Sequence, residues 1–267
     1  MGLNGYNHAG GDGRMARMTK YFQFISRLCL LSASLAALSC AHSAKGPAIV
    51  EGKTSYRCEG KSILVETFLP KDAGQHPAVI VLYGSGGVLH GKGEMNAFAR
   101  QLAEHGMAAY MIHYFDQTGT LLADDKSIAA YSAVWQTTVK EGVDFVSRQP
   151  QVRRGKMGVY GYSLGAFLTV ASATTDSRIG VAAELSGGLF TRLKGHTLRF
   201  PPMLILHGRE DKRVSIQYAE ELQQEAKHFH AQPVVHLYPG EGHALSSAAA
   251  ADANARTLNF LQQYLKP

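Results

Sequence analysis

Ser163 stands between Gly161 and Gly165 in the stretch "GYSLG", a G-x-S-x-G pattern that follows the apolar run "MGVY" and precedes "AFLTVASATT". A serine hydroxyl is a weak nucleophile at neutral pH. It needs a histidine to accept its proton and an acid to orient that histidine. Both residue types follow in the order serine, acid, histidine. The stretch "LHGREDKRV" offers Glu210 and Asp211, and "YPGEGHAL" offers His243. Such a set can carry out acyl transfer: attack on a carbonyl, a covalent acyl-enzyme and its hydrolysis. Asp211, closing the turn Gly208-Arg209-Glu210-Asp211, is the first choice for the acid and Glu210 the alternative. Asp211 also stands near the start of a helix expected from Ser215, where a helix cap is the alternative role; the agreement of three separate loops favours the acid.

The tetrahedral intermediate of acyl transfer requires two aimed N–H groups. The backbone N–H of Leu164, after the serine and at the start of a helix, is one candidate. The other is the N–H of Ser85 in "LYGSGGVLHGKG". If Gly84, Gly86 and Gly87 only loosen that turn, the donor moves by a residue. Tyr83, His113, Tyr114 and Phe115 lie beside these loops and are expected to line an aromatic, weakly polar substrate pocket, with Phe190 as a further candidate. His207, inside a strand, reads as a packed residue near the site. The pair His228 and His230 has no clear third ligand, so neither a metal nor a cofactor is expected.

These residues must be carried by alternating elements. Apolar runs predict strands over 63–70, 78–84, 107–115, 156–163, 179–188, 202–208 and 233–240. Helical spacing predicts helices over 94–106, 128–150, 164–175, 215–229 and 253–265, with Pro150 stopping the second. Strands alternating with such helices imply an α/β domain built on a mostly parallel, doubly wound sheet with helices on both faces. Ligands bind at the carboxyl ends of strands in such sheets, where Ser163, Asp211 and His243 all fall. The segment 189–200 is the one insertion able to act as a cap, and it is too short for a large lid.

The pieces "VLYGSGG", "YFDQTGT", "GYSLG", "LHGREDKRV" and "YPGEGHAL" occur in an order that resembles the dienelactone hydrolase family of α/β-hydrolases, over about residues 53–267. The resemblance implies an α/β-hydrolase fold, a Ser163–Asp211–His243 triad and hydrolysis of carboxylic esters on small molecules, with no cofactor. The chain departs from that family in two ways. Dienelactone hydrolases proper use a cysteine nucleophile, and they have an acidic residue beside the oxyanion strand and an arginine that binds the substrate carboxylate, whereas "LYGSGG" has no acid and "IHYFD" no arginine. A general serine esterase is therefore the expected activity. An acyl-peptide hydrolase or peptidase on the same fold and a non-catalytic envelope binding protein are the alternatives.

The chain has 267 residues, 45% of them apolar and 18% charged, enough for one sizeable core. Half of its net charge of +6 comes from Arg14, Arg17, Lys20 and Arg27 against Asp12, near the N-terminus. Without a basic stripe interleaved with aromatics, nucleic acid is not an expected partner. The basic stretch "RMARMTKYFQFISR" followed by "LCLLSASLAAL" has the form of a secretory signal over 1–39, with translation starting at Met1, Met15 or Met18. Its end, "AALSCAHSA", resembles a bacterial lipoprotein signal with Cys40 as the lipidated residue; simple cleavage near Ala41 or Ser43 is the alternative. Residues 40–52 then read as a tether and 53–267 as the hydrolase domain. The expected location is the bacterial cell envelope, either lipid-anchored or periplasmic. Cys58 is the one cysteine inside the domain, which leaves no disulfide framework beyond a Cys40–Cys58 bridge.

Overall fold

Short runs of β-branched and apolar residues make the central strands, because each must bury both faces. The computed structural model describes residues 48–265 apart from Lys156 and Thr197, so the leader and Cys40 lie outside the described residues. The strands are β1 (Ile49–Cys58), β2 (Lys61–Pro70), β3 (Ala78–Leu82), β4 (Ala108–Ile112), β5 (Met157–Tyr162), β6 (Ile179–Leu185), β7 (Met203–Gly208) and β8 (Val234–Tyr238). They form one sheet in the order β1-β2-β4-β3-β5-β6-β7-β8. β2 runs antiparallel to β1 and β4, and every other neighbouring pair is parallel.

Among the described residues, five helices cover the sheet: α1 (Lys92–Glu104), α2 (Asp125–Ser147), α3 (Leu164–Thr175), α4 (Gln217–His228) and α5 (Ser247–Leu265). α1 buries Met95, Phe98, Ala99, Leu102 and Ala103, a stripe at the spacing of one helix face. α3 buries nearly its whole circumference, which is why "LGAFLTVASATT" has no polar face. The α/β architecture, the mostly parallel sheet and the elements flanking Ser163, Asp211 and His243 agree with the sequence reading.

The differences are local and have physical causes. β1 takes in residues 49–52, assigned above to the tether. It is an edge strand with only Tyr56 and Cys58 buried, so it carries almost no apolar alternation. The strand expected over 107–115 ends at Ile112, and Tyr114–Gln117 form a 3₁₀ turn instead. α2 starts before residue 128 because the Asp124 side chain accepts the Ser127 N–H at 2.8 Å as an N-cap. α5 starts six residues early, through an alanine run whose helix propensity needs no apolar periodicity. Cys58 is a buried free thiol. Among the described residues, no helix is long and apolar enough to cross a membrane.

Candidate active site

β5 ends at Tyr162 and α3 begins at Leu164, leaving Ser163 alone in the turn between them. Its φ of 55° and ψ of −120° put a residue with a Cβ in the left-handed half of backbone space, at a cost of about 1–3 kcal/mol. Backbone hydrogen bonds hold it there. Ser163 donates its N–H to Leu185 O at 2.9 Å, and its carbonyl accepts the Ala166 N–H at 2.9 Å. The flanking glycines are needed for close approach. A Cβ on Gly161 would strike the Gly165 carbonyl, and one on Gly165 would strike the carbonyls of Leu82 and Tyr83. Strand, turn and helix therefore pack backbone to backbone, and the serine side chain is thrust out at the carboxyl end of the sheet.

The turn after β7 supplies the acid. The Asp211 side chain is fully buried. Its Oδ1 accepts the backbone N–H groups of Arg213 and Val214, each at 2.8 Å. Those bonds fix the carboxylate and leave Oδ2 for a third partner. Glu210 is exposed, with its backbone N–H bonded to Glu241 O at 2.8 Å. Of the two acids the sequence offers, Asp211, its first choice, is the one whose carboxylate is buried and reaches the histidine, at 2.8 Å.

His243 comes from the loop between β8 and α5. Its Nδ1 lies 2.8 Å from Asp211 Oδ2, and its Nε2 lies 2.9 Å from Ser163 Oγ. With the Nδ1 proton donated to the carboxylate, Nε2 is an acceptor facing the serine hydroxyl. Tyr162 adds a support that the motif did not suggest. Its hydroxyl donates to His243 O at 3.0 Å, and its ring lies 5.3 Å from the imidazole. Burial pushes that phenol up to about 12, so it stays a donor. At the far side of the loop, the Glu241 carboxylate accepts the Ser246 N–H at 2.7 Å, tying the histidine loop to the start of α5.

His207 is packed beneath the acid, as expected, with no exposure. Its Nε2 donates to Val214 O at 2.9 Å and lies 3.5 Å from Asp211 Oδ2. Burial pulls this imidazole below its usual range, which leaves it neutral beside the carboxylate. Leu164 is the first residue of α3, so its N–H has no acceptor within the helix. Ser85 borders Ser163 in two cavities, and its carbonyl accepts the Ala123 N–H at 2.9 Å, which anchors the loop.

Those two cavities meet at Ser163. The smaller, of about 210 Å³, is lined by Ile128, Leu164, Phe167, Phe190, Val214 and Tyr218, with the Arg213–Asp125 ion pair at its edge. The larger, of about 580 Å³, is bordered by Tyr83, His90, Met95, Phe98, Tyr162 and Leu245. Of the four pocket residues expected from sequence, Tyr83 borders the larger cavity. His113, Tyr114 and Phe115 line neither, which corrects that expectation. The turn after β4 points them inward. Tyr114 stacks on Tyr83 at 4.6 Å and donates to its carbonyl at 2.7 Å, and Phe115 packs on Trp135 at 4.6 Å. His113 Nε2 meets Glu66 Oε1 at 3.0 Å. Tyr114, through Tyr83, and Phe115, against Gly87, buttress the Ser85 loop from behind. Phe190 lies where expected, whereas Phe167 and Tyr218 were missed. Phe167 stands four residues after Ser163 on α3, a helical spacing that could have revealed it.

The model of the "Dienelactone hydrolase family" matches residues 64–265. Among curated proteins, the mouse peroxisomal succinyl-coenzyme A thioesterase is 23% identical over 155 residues. That match takes in 57% of this chain and 33% of the thioesterase, so the chain spans about a third of that relative's length. A dienelactone hydrolase-like promiscuous phosphotriesterase from metagenomic libraries superposes with a TM-score of 0.71 at 19% identity, covering 81% of this chain and 99% of that one. A cold-adapted esterase from an Arctic intertidal metagenomic library superposes with a TM-score of 0.64 at 22% identity, covering 82% and 95%. At these identities the solved structures show a shared fold.

Proposed function

Because the chain belongs to the dienelactone hydrolase family, we propose that it is a serine hydrolase that cleaves carboxylic esters through an acyl-enzyme. One observation carries the reading. Ser163 Oγ, His243 and Asp211 form a continuous hydrogen-bonded line, 2.9 Å and then 2.8 Å, opening on two cavities. In the first step, Ser163 Oγ attacks the ester carbonyl while His243 Nε2 takes its proton. The tetrahedral oxyanion is met by the N–H groups of Leu164 and Ser85. His243 returns the proton to the leaving alcohol, and Asp211 stabilises the imidazolium without itself taking the proton. Water, activated by the same imidazole, then releases the acid.

Thioesters undergo the same two steps and are a second acyl class in this reading, which the likeness to the thioesterase relative supports. The smaller cavity is lined mainly by apolar side chains, with an ion pair at its edge, and suits short or medium groups. In the same reading the leader exports the domain to the cell envelope, with Cys40 as its lipid anchor; that residue lies outside the described residues. The test is steady-state hydrolysis of matched oxygen esters, thioesters and anilides by wild type and Ser163→Ala. Ester and thioester turnover lost in the variant supports the proposal, and anilides turned over faster than esters would move it to the peptidase reading.

A further inference from the structure

Glu184 is a carboxyl group for which the proposed reaction has no use. It sits in β6 with no exposure at all. The register sets it beside Gly161 of β5 and Ile205 of β7, in the middle of the parallel sheet. A Cβ on Gly161 would meet Thr169 Oγ1 of α3 at 2.6 Å, so Glu184 points to the face that α3 covers. Its Oε2 accepts the Gly187 N–H at 2.8 Å, whereas Oε1 has no partner.

That one hydrogen bond closes a turn over Leu185, Ser186 and Gly187. Ser186 is held at a φ of 57°, a strained value for a residue with a Cβ, so the surrounding structure must over-determine it. The turn touches the nucleophile at two points. Leu185 O accepts the Ser163 N–H at 2.9 Å. Gly187 packs so closely on Ala166, in the first turn of α3, that a Cβ on Gly187 would collide with it.

We propose that Glu184 is a positioning residue for the nucleophile, clamping through Gly187 the turn that holds the Ser163 backbone and the start of α3. The inference rests on Ser163 being the nucleophile.

The clamp works in the neutral form. A carboxylate at this position would have one N–H and no cation. β7 presents His207 as its one titratable group, a neutral imidazole already bonded to Val214 O. β5 presents Tyr160 and Tyr162, α3 contains no titratable residue, and β6 has no other. Burial accordingly pushes the Glu184 carboxyl up to about 8, with the Gly187 N–H offsetting part of that. Once ionised, Glu184 is relieved only by admitting water to Oε1, which opens the turn. Its charge also stands near the start of α3, where the reaction builds a negative charge of its own.

The experiment is kcat and KM for a small ester against pH, for wild type, Glu184→Gln and Glu184→Leu. Gln keeps a carbonyl acceptor for Gly187 and cannot ionise. Its kcat should equal wild type at neutral pH and lack the alkaline fall that wild type shows around the Glu184 value of about 8. Leu removes the acceptor, and its kcat should drop by about tenfold or more across the range with KM little changed, as expected for a displaced reacting atom. An alkaline limb in Glu184→Gln identical to that of wild type, or a wild-type kcat in Glu184→Leu, would overturn the inference. If Glu184→Leu does not fold, the Gln profile decides. Undiminished turnover by Ser163→Ala would instead strike the proposed function itself, so the two failures are distinguishable.

Discussion

Asp211 meets His243 Nδ1 at 2.8 Å with Oδ2 alone, because its Oδ1 is occupied by the N–H groups of Arg213 and Val214. The carboxylate is therefore oriented before the imidazole reaches it. In Asp211→Asn, the amide oxygen can satisfy the same two N–H groups, which turns the NH₂ toward Nδ1 and imposes the wrong tautomer. The expected loss in kcat is about 10⁴-fold, with the melting temperature nearly unchanged. Glu210→Gln, altering an exposed side chain, should leave kcat within about twofold. Kinetics on the two variants check this, and the reverse pattern would transfer the role to Glu210.

Glu184 also makes stability depend on pH. Its ordinary value is 4.5 and burial raises it to about 8, so between those values the folded protein holds a proton that the unfolded chain has released. Unfolding in that window releases a proton and is favoured by rising pH. Wild type should lose stability relative to Glu184→Gln from about pH 5 to about pH 8, at up to roughly 1.4 kcal/mol per pH unit, and no further above it. Urea titrations across that range measure the difference. Parallel curves for the two proteins would contradict the account.

Phe167 limits the smaller cavity, with Phe190 at 5.2 Å and Tyr218 at 5.2 Å around it. Phe167→Ala should enlarge that side of the site and raise kcat/KM for a bulky ester relative to the smallest one by about tenfold, the scale of a few methylenes in an apolar pocket. A ladder of ester sizes measured on both proteins checks the ratio. Phe115→Ala, altering a residue behind the loop, should lower the melting temperature without shifting that ratio.

Ser163, the strand before it and the helix after it were legible because the motif and the apolar pattern agree on one turn. Asp211 and His243 were legible as residues on loops after strands, and the G-x-x-D turn favoured Asp211 over Glu210, but only the structure shows that the turn buries the Asp211 side chain and leaves Glu210 exposed. The pocket was read less well. Aromatic residues at strand ends announce themselves in sequence, yet the 3₁₀ turn at Tyr114–Gln117 decides that Tyr114 and Phe115 face inward. β1 escaped because an exposed edge strand has little to bury, so its sequence "IVEGKTSYRC" lacks the alternation of a half-buried strand. Glu184 was visible as a lone acid inside "IGVAAELSGG", but only the register and the Gly187 bond give it a role.

For the leader, the expectation is that wild type fractionates with membranes and resists a salt wash, since two or more acyl chains anchor stably where one does not. Cys40→Ala should become soluble or accumulate as an uncleaved precursor. Wild-type protein found free in the periplasm, cut after Ala41 or Ser43, would remove the lipid anchor and leave the hydrolase reading standing.

In the proposed reaction Ser163 Oγ, activated by His243, forms the covalent intermediate. Reaction with a fluorophosphonate, followed by intact mass and peptide mapping, tests it most directly. One adduct is expected on the peptide containing Ser163, and none in Ser163→Ala under the same conditions. Equal labelling of wild type and Ser163→Ala, or a folded wild type that takes up no label, would contradict it.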